Sequence, residues 1–367
     1  MLMNLKEQLN KINNRRIYFV RKKLYLKFYK NIILNNPILG EYAEGEEDWL
    51  RKWRKYDKNL SPFAFRIFSR YIGPDMNIFP MELCATLVEP IFNPYKYIDF
   101  YSDKNVFDLI FPELMPETLL RNVNGKFLTK YYDFIACSNI DLFISKIDRD
   151  CVILKPTCAS SGDGVSIFYR NGEKFCNKKG DILNETFLNL HYGKNFILQE
   201  CFKQSDFTIK FNPSSVNTIR VGTYRDLKGQ IHILRAILRI GANGSEVDNA
   251  HAGGMFCGID DDGRIGNYVC DQYGNRAIEF NDVIFENNNF VVPNYELIKT
   301  IVLNVAKKII HHDLIAFDVV LDKENNPKLL EINVGGFSGW LFQFTSGTQF
   351  REYTDDIVEY CYKKYNI

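Results

Sequence analysis

The sequence predicts an α+β protein in which a mainly helical N-terminal region precedes two β-rich lobes covered by helices. Three observations carry this reading. Residues 1 to about 100 are helix-like, with aromatic-rich segments such as Asp48–Tyr56 and Pro62–Tyr71. From about Lys104 the chain breaks into short β-rich runs separated by Gly, Asn and Asp turns. Near the end, Ile315–Leu321 and Lys328–Asn333 flank a polar turn as the two arms of a hairpin.

A chain of 367 residues exceeds one ordinary domain, so two or three lobes are expected. The hydrophobic fraction of 46% and charged fraction of 25% are globular and supply a real core. No stretch approaches the roughly 18 apolar residues that span a bilayer. Met1–Arg16 lacks a signal-peptide core, which points to a cytoplasmic protein. A net charge of +1 gives no global field for nucleic acid. Nine dispersed cysteines form no CxxC pair and no zinc spacing, so free thiols in a reducing compartment are expected. Cys158 sits in a glycine-containing loop, where a small loop residue is a better account than a nucleophile.

Between Lys6 and Lys30 nine basic residues face Glu7 alone, with Ile17, Val20, Leu24, Phe28 and Ile32 at helical spacing. This is a basic amphipathic helix. A solvated surface face is the favoured account; the alternative is peripheral contact with an anionic membrane or a lipid-linked substrate. Cys151–Leu154 reads as a strand followed by Lys155-Pro156, a small-residue loop Thr157–Gly164 and a returning strand Val165–Tyr169. Asn195–Gln199 is another strand. Thr218–Tyr224 and His232–Ile240 read as partners around the turn Asp226–Gly229, and Asn294–His311 as a helix opened by Pro293. His311-His312 at its end reads as a polar cap.

The last hairpin concentrates chemistry. Pairing Leu321 with Lys328 sets Asp318 opposite Glu331 and Ala316 opposite Asn333. Residues opposite one another share a face with Cα atoms about 4.5–5.5 Å apart, and Glu331 and Asn333 share it by alternation. Phe317, Val319, Leu321, Leu330 and Ile332 fall on the other, core face. Two facing carboxylates repel unless a proton or cation lies between them, and magnesium suits such oxygen donors. The bland alternative is a solvated polar sheet face. Lys155 and the loop through Gly164 offer a compact positive charge and small residues that let backbone amides approach phosphate oxygens. Arg220 and Arg239 lie on strands whose alternation aims them toward a shared cleft, or else onto the surface.

Taken in order, these pieces resemble the ATP-grasp superfamily, and within it the sugar-transfer-associated ATP-grasp family, over roughly residues 101–339. The carriers are Ser102-Asp-Lys-Asn105, Leu154-Lys-Pro156 with its loop, Leu198-Gln-Glu200 and Asn217-Thr-Ile-Arg220. They continue with Leu238-Arg-Ile-Gly241, Asp248-Asn249 with Gly253-Gly254, Phe317-Asp318 and Leu330-Glu-Ile-Asn333. The resemblance implies two α+β lobes, 101–198 and 199–367, clasping ATP behind a helical region 1–100. It implies that Lys104 and Lys155 contact phosphates, that the loop with Ser160, Ser161, Gly162 and Gly164 covers the triphosphate, and that Glu200 and Phe202 lie at the adenine-binding hinge. Asp318, Glu331 and Asn333 are then the ligands of magnesium, implied as two ions. Arg239, and less directly Arg220, stabilise the transferred phosphoryl group alongside Lys155, and Asn249, Gly253, Gly254, Gly335 and Gly336 face the acceptor.

The implied activity is ATP-dependent ligation of a carboxylate, of a sugar acid in surface-polysaccharide synthesis, to an amine through an acylphosphate. A phosphotransferase would use the same hairpin. Two other classes compete. Asp260-Asp-Asp262 resembles the metal-binding motif of a nucleotide-sugar glycosyltransferase, although Gly263 makes a turn the better reading; a non-catalytic nucleotide-binding module is the other.

Overall fold

The computed structural model describes residues 2–158, 162, 164–245, 248 and 250–365, with the backbone alone for residues 2–18 and His251. Its helical N-terminal region contains α1 (Leu2–Asn35), α2 (Glu46–Trp53) and α3 (Phe63–Ile72). Helix α2 starts with Glu46, Glu47 and Asp48 and ends with Arg51 and Lys52, a charge order that complements the helix dipole. Arg66 on α3 grips the Glu46 carboxylate through two hydrogen bonds of 2.6 and 2.8 Å, which fixes the angle between the two helices.

The face by which α1 packs differs from the expected stripe. Tyr29 and Ile32 enter the core, but Val20 and Leu24 are 52% and 60% exposed. The contact surface is rotated onto Arg21, Lys22, Tyr25 and Tyr29. Arg21 donates to the carbonyl of Ala85 (2.7 Å) and faces Glu89, and Lys22 pairs with Asp57. Of the five basic residues of this run whose side chains are described, Arg21 and Lys22 thus have internal partners. Among the described residues no helix is long and apolar enough to cross a membrane.

The remaining chain builds two seven-stranded antiparallel sheets. The first is made from β1 (Thr118–Val123), β2 (Lys126–Thr129), β3 (Phe134–Ile135), β4 (Cys151–Pro156), β5 (Ser166–Asn171), β6 (Lys174–Cys176) and β7 (Phe196–Glu200). Its order is β3-β2-β1-β7-β4-β5-β6. The second uses β8 (Thr218–Arg225), β9 (Ile231–Ile240), β10 (Met255–Ile259), β11 (Val269–Cys270) and β12 (Arg276–Ala277). A small separate ribbon of β13 (Glu279–Phe280) and β14 (Val283–Ile284) precedes its last two strands, β15 (Leu314–Leu321) and β16 (Pro327–Asn333). The order is β12-β11-β10-β9-β8-β15-β16.

Each face of the second sheet is covered. Helix α5 (Tyr295–Lys308), after Lys104–Ile110 (α4), lays Ile298, Val302 and Val305 against Ile219, Leu238 and Phe317 on one face. The opposite face, with Tyr224, Leu234, Ile237 and Phe256, packs on the N-terminal helices together with α6 (Trp340–Thr345) and α7 (Thr354–Tyr365). Asn93 joins these layers: its amide donates to the carbonyls of Leu314 (2.5 Å) and Val334 (2.8 Å), and its oxygen accepts from Leu314 N–H (3.2 Å). Those carbonyls mark the start of β15 and the exit of β16.

Two further expectations need correction. His311 and His312 do not cap the helix, which ends at Lys308; His311 stacks on Tyr97 with ring centroids 3.7 Å apart, and His312 is buried against Tyr101. Nor are all cysteines free. Cys151 and Cys201 form a disulfide with Cα atoms 5.5 Å apart. They are 50 residues apart in sequence, yet β4 and β7 pair with Val152 opposite Glu200, which makes 151 and 201 the next cross-strand neighbours. Cys84, Cys137, Cys158, Cys176, Cys257, Cys270 and Cys361 remain thiols.

Candidate active site

The register of β15 and β16 pairs Ala316 with Asn333, Phe317 with Ile332 and Asp318 with Glu331. Past Asp318 the register slips by one, so Leu321 meets Pro327 instead of Lys328. The cause is a β-bulge at Leu330, which has no partner residue of its own. Its effect is visible in the burial: Leu329 takes the core position expected of Leu330, and Leu330 turns toward the cleft. The carboxylate pairing expected from alternation therefore holds, but only up to the bulge.

Asp318 also sits opposite Arg220 on β8, and Arg239 on β9 lies opposite both Thr218 on β8 and Phe256 on β10. Arg220 grips the Asp318 carboxylate with two hydrogen bonds of 2.7 and 2.8 Å. Arg239 Nη1 adds a third at 3.1 Å and the Asn333 amide a fourth at 3.1 Å. Burial alone would raise the Asp318 pKa, but Arg220 and then Arg239 outweigh it and hold the carboxyl below its usual range. Burial likewise works against the charge on Arg220, and Asp318 overrides it to raise that group. Each of the facing carboxylates is met by cationic side chains of the protein, Asp318 by Arg220 and Arg239 and Glu331 by Lys104. Lys104, at the first turn of α4, donates to Glu331 at 3.1 Å.

Lys155, at the end of β4, points into the same space and donates to Gln199 Oε1 at 3.3 Å. Its ammonium is buried, which together with the neighbouring Lys104 pulls its pKa down to about 8. A testable pH dependence follows. Above pH 8 the free protein loses this charge, so affinity for MgATP, the ligand the resemblance implies, is expected to fall as pH rises from about 8. In the same range ordinary lysines keep their protons, with pKa about 10.4. Lys155→Arg is expected to flatten the profile between pH 8 and 9.5, and an unaltered decline in that variant would assign the titration elsewhere.

These groups line one cleft of about 660 Å³ between the two sheets. Lys104, Lys155, Gly162, Glu200, Phe202, Arg220, Arg239, Asp318, Glu331, Asn333, Gly335 and Gly336 all border it. Gly164 instead folds back on Pro156 with φ +70, where an added Cβ would lie 2.7 Å from the proline ring. Gly253 stands in an exposed turn with φ +84, and Gly254 is buried on the approach to β10; neither borders the cleft. Ser160, Ser161 and Asn249 lie outside the described residues. Glu200 accepts from the backbone of Glu117 (3.1 Å) and faces Arg149. The acidic run 260–262 serves a turn, as expected: Asp260 accepts from the backbone of Asp262 and Arg264, and Asp261 pairs with Arg351.

Several residues at the cleft were not singled out from the sequence. Asp248 is inside it, 3.3 Å from Arg239 and accepting from Thr218. Burial raises its pKa against the pull of Arg239. Cys151, Cys201, Leu330 and Trp340 also border the cleft, and of these residues Asp248 and Leu330 stood within segments that carry the resemblance.

The family model described as sugar-transfer associated ATP-grasp matches residues 85–358. The chain belongs to this family. Its two antiparallel sheets facing one cleft, with helices behind them, are the ATP-grasp fold preceded by a helical region. Among solved structures it is similar to D-alanyl-alanine synthetase A from Vibrio cholerae, at 13% identity over 80% of this chain and 67% of that one, with a TM-score of 0.41. D-alanine–D-alanine ligase from Bacillus anthracis gives 13% identity, 77% and 70% coverage and a TM-score of 0.37. The biotin carboxylase domain of 2-oxoglutarate carboxylase from Hydrogenobacter thermophilus, in complex with MgADP and bicarbonate, gives 12% identity, 73% and 46% coverage and a TM-score of 0.38. No match is found among curated proteins.

The donor set of this ATP-grasp cleft suits magnesium: two carboxylates and an amide on adjacent strands, all hard oxygen donors. Glu331, 26% exposed at its side chain and held by one lysine contact at 3.1 Å, is the carboxylate that a metal ion would reach with the smaller rearrangement. Asp318 accepts from three side chains and would have to exchange one of them.

Proposed function

We propose that this ATP-grasp protein is an ATP-dependent carboxylate–amine ligase whose acceptor is a sugar acid or a similar carboxylate used in surface-polysaccharide synthesis. The observation that supports it is the convergence of Lys104, Lys155, Arg220 and Arg239 with Asp318, Glu331 and Asn333 in a single cleft. Phosphoryl transfer needs positioning and charge neutralisation more than covalent help. No serine, cysteine or histidine nucleophile is required by such a route.

An acceptor carboxylate oxygen attacks the γ-phosphorus as the bond to the ADP oxygen breaks, giving an acylphosphate. An amine then attacks the acyl carbon; phosphate leaves with its bridging oxygen and the amine gives up a proton, leaving an amide. Lys155 and Lys104 hold phosphate oxygens, which frees Glu331 from its lysine contact. Arg239, poised between Asp318 and Asp248, is the guanidinium best placed to follow charge onto the transferred group. Glu331 and Asn333, with Asp318, would hold magnesium, which supplies neutralisation of the phosphate oxygens when bound. Glu200 and Phe202 border the part of the cleft assigned to the base.

Mass spectrometry of reactions with MgATP, a panel of uronic acids and a panel of amines tests this. The expected product set is ADP, free phosphate and an amide. Phosphate retained on the acceptor would reject the ligase in favour of a phosphotransferase, and MgATP binding with no turnover would favour a non-catalytic module.

A further inference from the structure

Trp340 opens α6, seven residues beyond Asn333, and borders the cleft. It is half-buried, whereas Trp49 and Trp53 are fully buried in the helical core. Aromatic rings hold it in place: Phe28 of α1 at 5.3 Å and Phe256 of β10 at 5.6 Å between centroids, and Phe344 at 6.0 Å. A braced indole with one side left toward a cleft is a flat apolar surface that costs little to order when a ligand lies on it.

Its surroundings are polar. Phe256 is the cross-strand partner of Arg239, so the aromatic wall adjoins a guanidinium. Asp248 and Ser338 border the same cleft, and a Cβ at Gly336 would meet nothing within 4 Å. A ligand with an apolar ring face, a rim of hydroxyl donors and one carboxylate meets all of these demands together. A simple aromatic acid brings no hydroxyls to the polar groups of Asp248 and Ser338, and a short aliphatic acid would leave the indole uncovered.

We infer that Trp340, braced by Phe28 of the N-terminal helix, is the platform on which a carboxylated pyranose lies with its carboxylate toward Arg239. This rests on the ligase reading above. It also makes the helical N-terminal region a determinant of acceptor choice.

The indole itself is the probe, because the other two tryptophans are buried. Acrylamide quenching of the full chain is measured with MgADP present, adding D-glucuronate, D-galacturonate, benzoate or lactate. The uronates are expected to shield the fluorescence and the other two acids are not; Trp340→Phe is expected to remove the response. Trp340→Phe and Phe28→Ala are each expected to raise KM for the uronate about tenfold with KM for MgATP unchanged. Absence of shielding by either uronate, equal shielding by benzoate or lactate, or an unchanged uronate KM in both variants would overturn the platform. Thermal stabilisation by MgADP separates the two readings. If it is present without uronate shielding, only the platform fails; if it is missing, the nucleotide reading itself fails.

Discussion

Glu331→Gln is expected to lower ADP release by about 10²- to 10³-fold, the range seen when one preorganised charge-stabilising group is removed from a transition state. The substitution keeps shape and an oxygen for Lys104, so the change isolates negative charge. Stability should move little, because the pair is partly solvated, with side-chain exposures of 13% and 26%, and such ion pairs contribute weakly. Raising magnesium should recover part of the loss if the glutamate binds the ion. Turnover near the parent value at saturating MgATP would remove Glu331 from the reaction.

Asp318→Ala is expected to act on the fold as well as on turnover. Asp318 is 2% exposed and shares its charge with Arg220 and Arg239. Removing one member of a buried pair strands the other charge, at a cost of about 3–5 kcal/mol. The sign of the pH effect is fixed by the lowered pKa. The carboxylate contributes stability above its unfolded value near 3.9 and loses it as pH falls through the lower folded value. The parent should therefore lose stability on acidification over a range where the variant is flatter. Combining Asp318→Leu with Arg220→Met should cost less than the sum of the single changes, because neither residue leaves its charge stranded by the other. A urea midpoint for Asp318→Ala matching the parent would show that the arginines find other partners.

Strict alternation made the carboxylate pairing legible. In a two-residue period, pairing Asp318 with Glu331 places Asn333 on the same face as well. The bulge at Leu330 was not legible, because Leu329 and Leu330 are the same residue type and either could fill the core position. The disulfide escaped for a related reason: the neighbourhood of Cys151 and Cys201 is created by the pairing of β4 with β7. Helical spacing found α1 but misplaced its buried stripe, since Tyr25 and Tyr29 carry more packing surface than Val20 and Leu24, and internal acids draw Arg21 and Lys22 inward. Trp340 belongs to the same class, its place depending on a helix more than 300 residues earlier in the chain.

Asn93 has a mechanical consequence. By fastening the open end of the β15–β16 hairpin to the helical region through three hydrogen bonds, it welds acidic hairpin and helices into one anvil. The sheet of residues 118–200 is tied to this block through Lys104, whose N–H donates to the Thr157 carbonyl (3.0 Å) while its ammonium holds Glu331 (3.1 Å). That rivet joins the sheet carrying Lys155 to the row of acids on the hairpin.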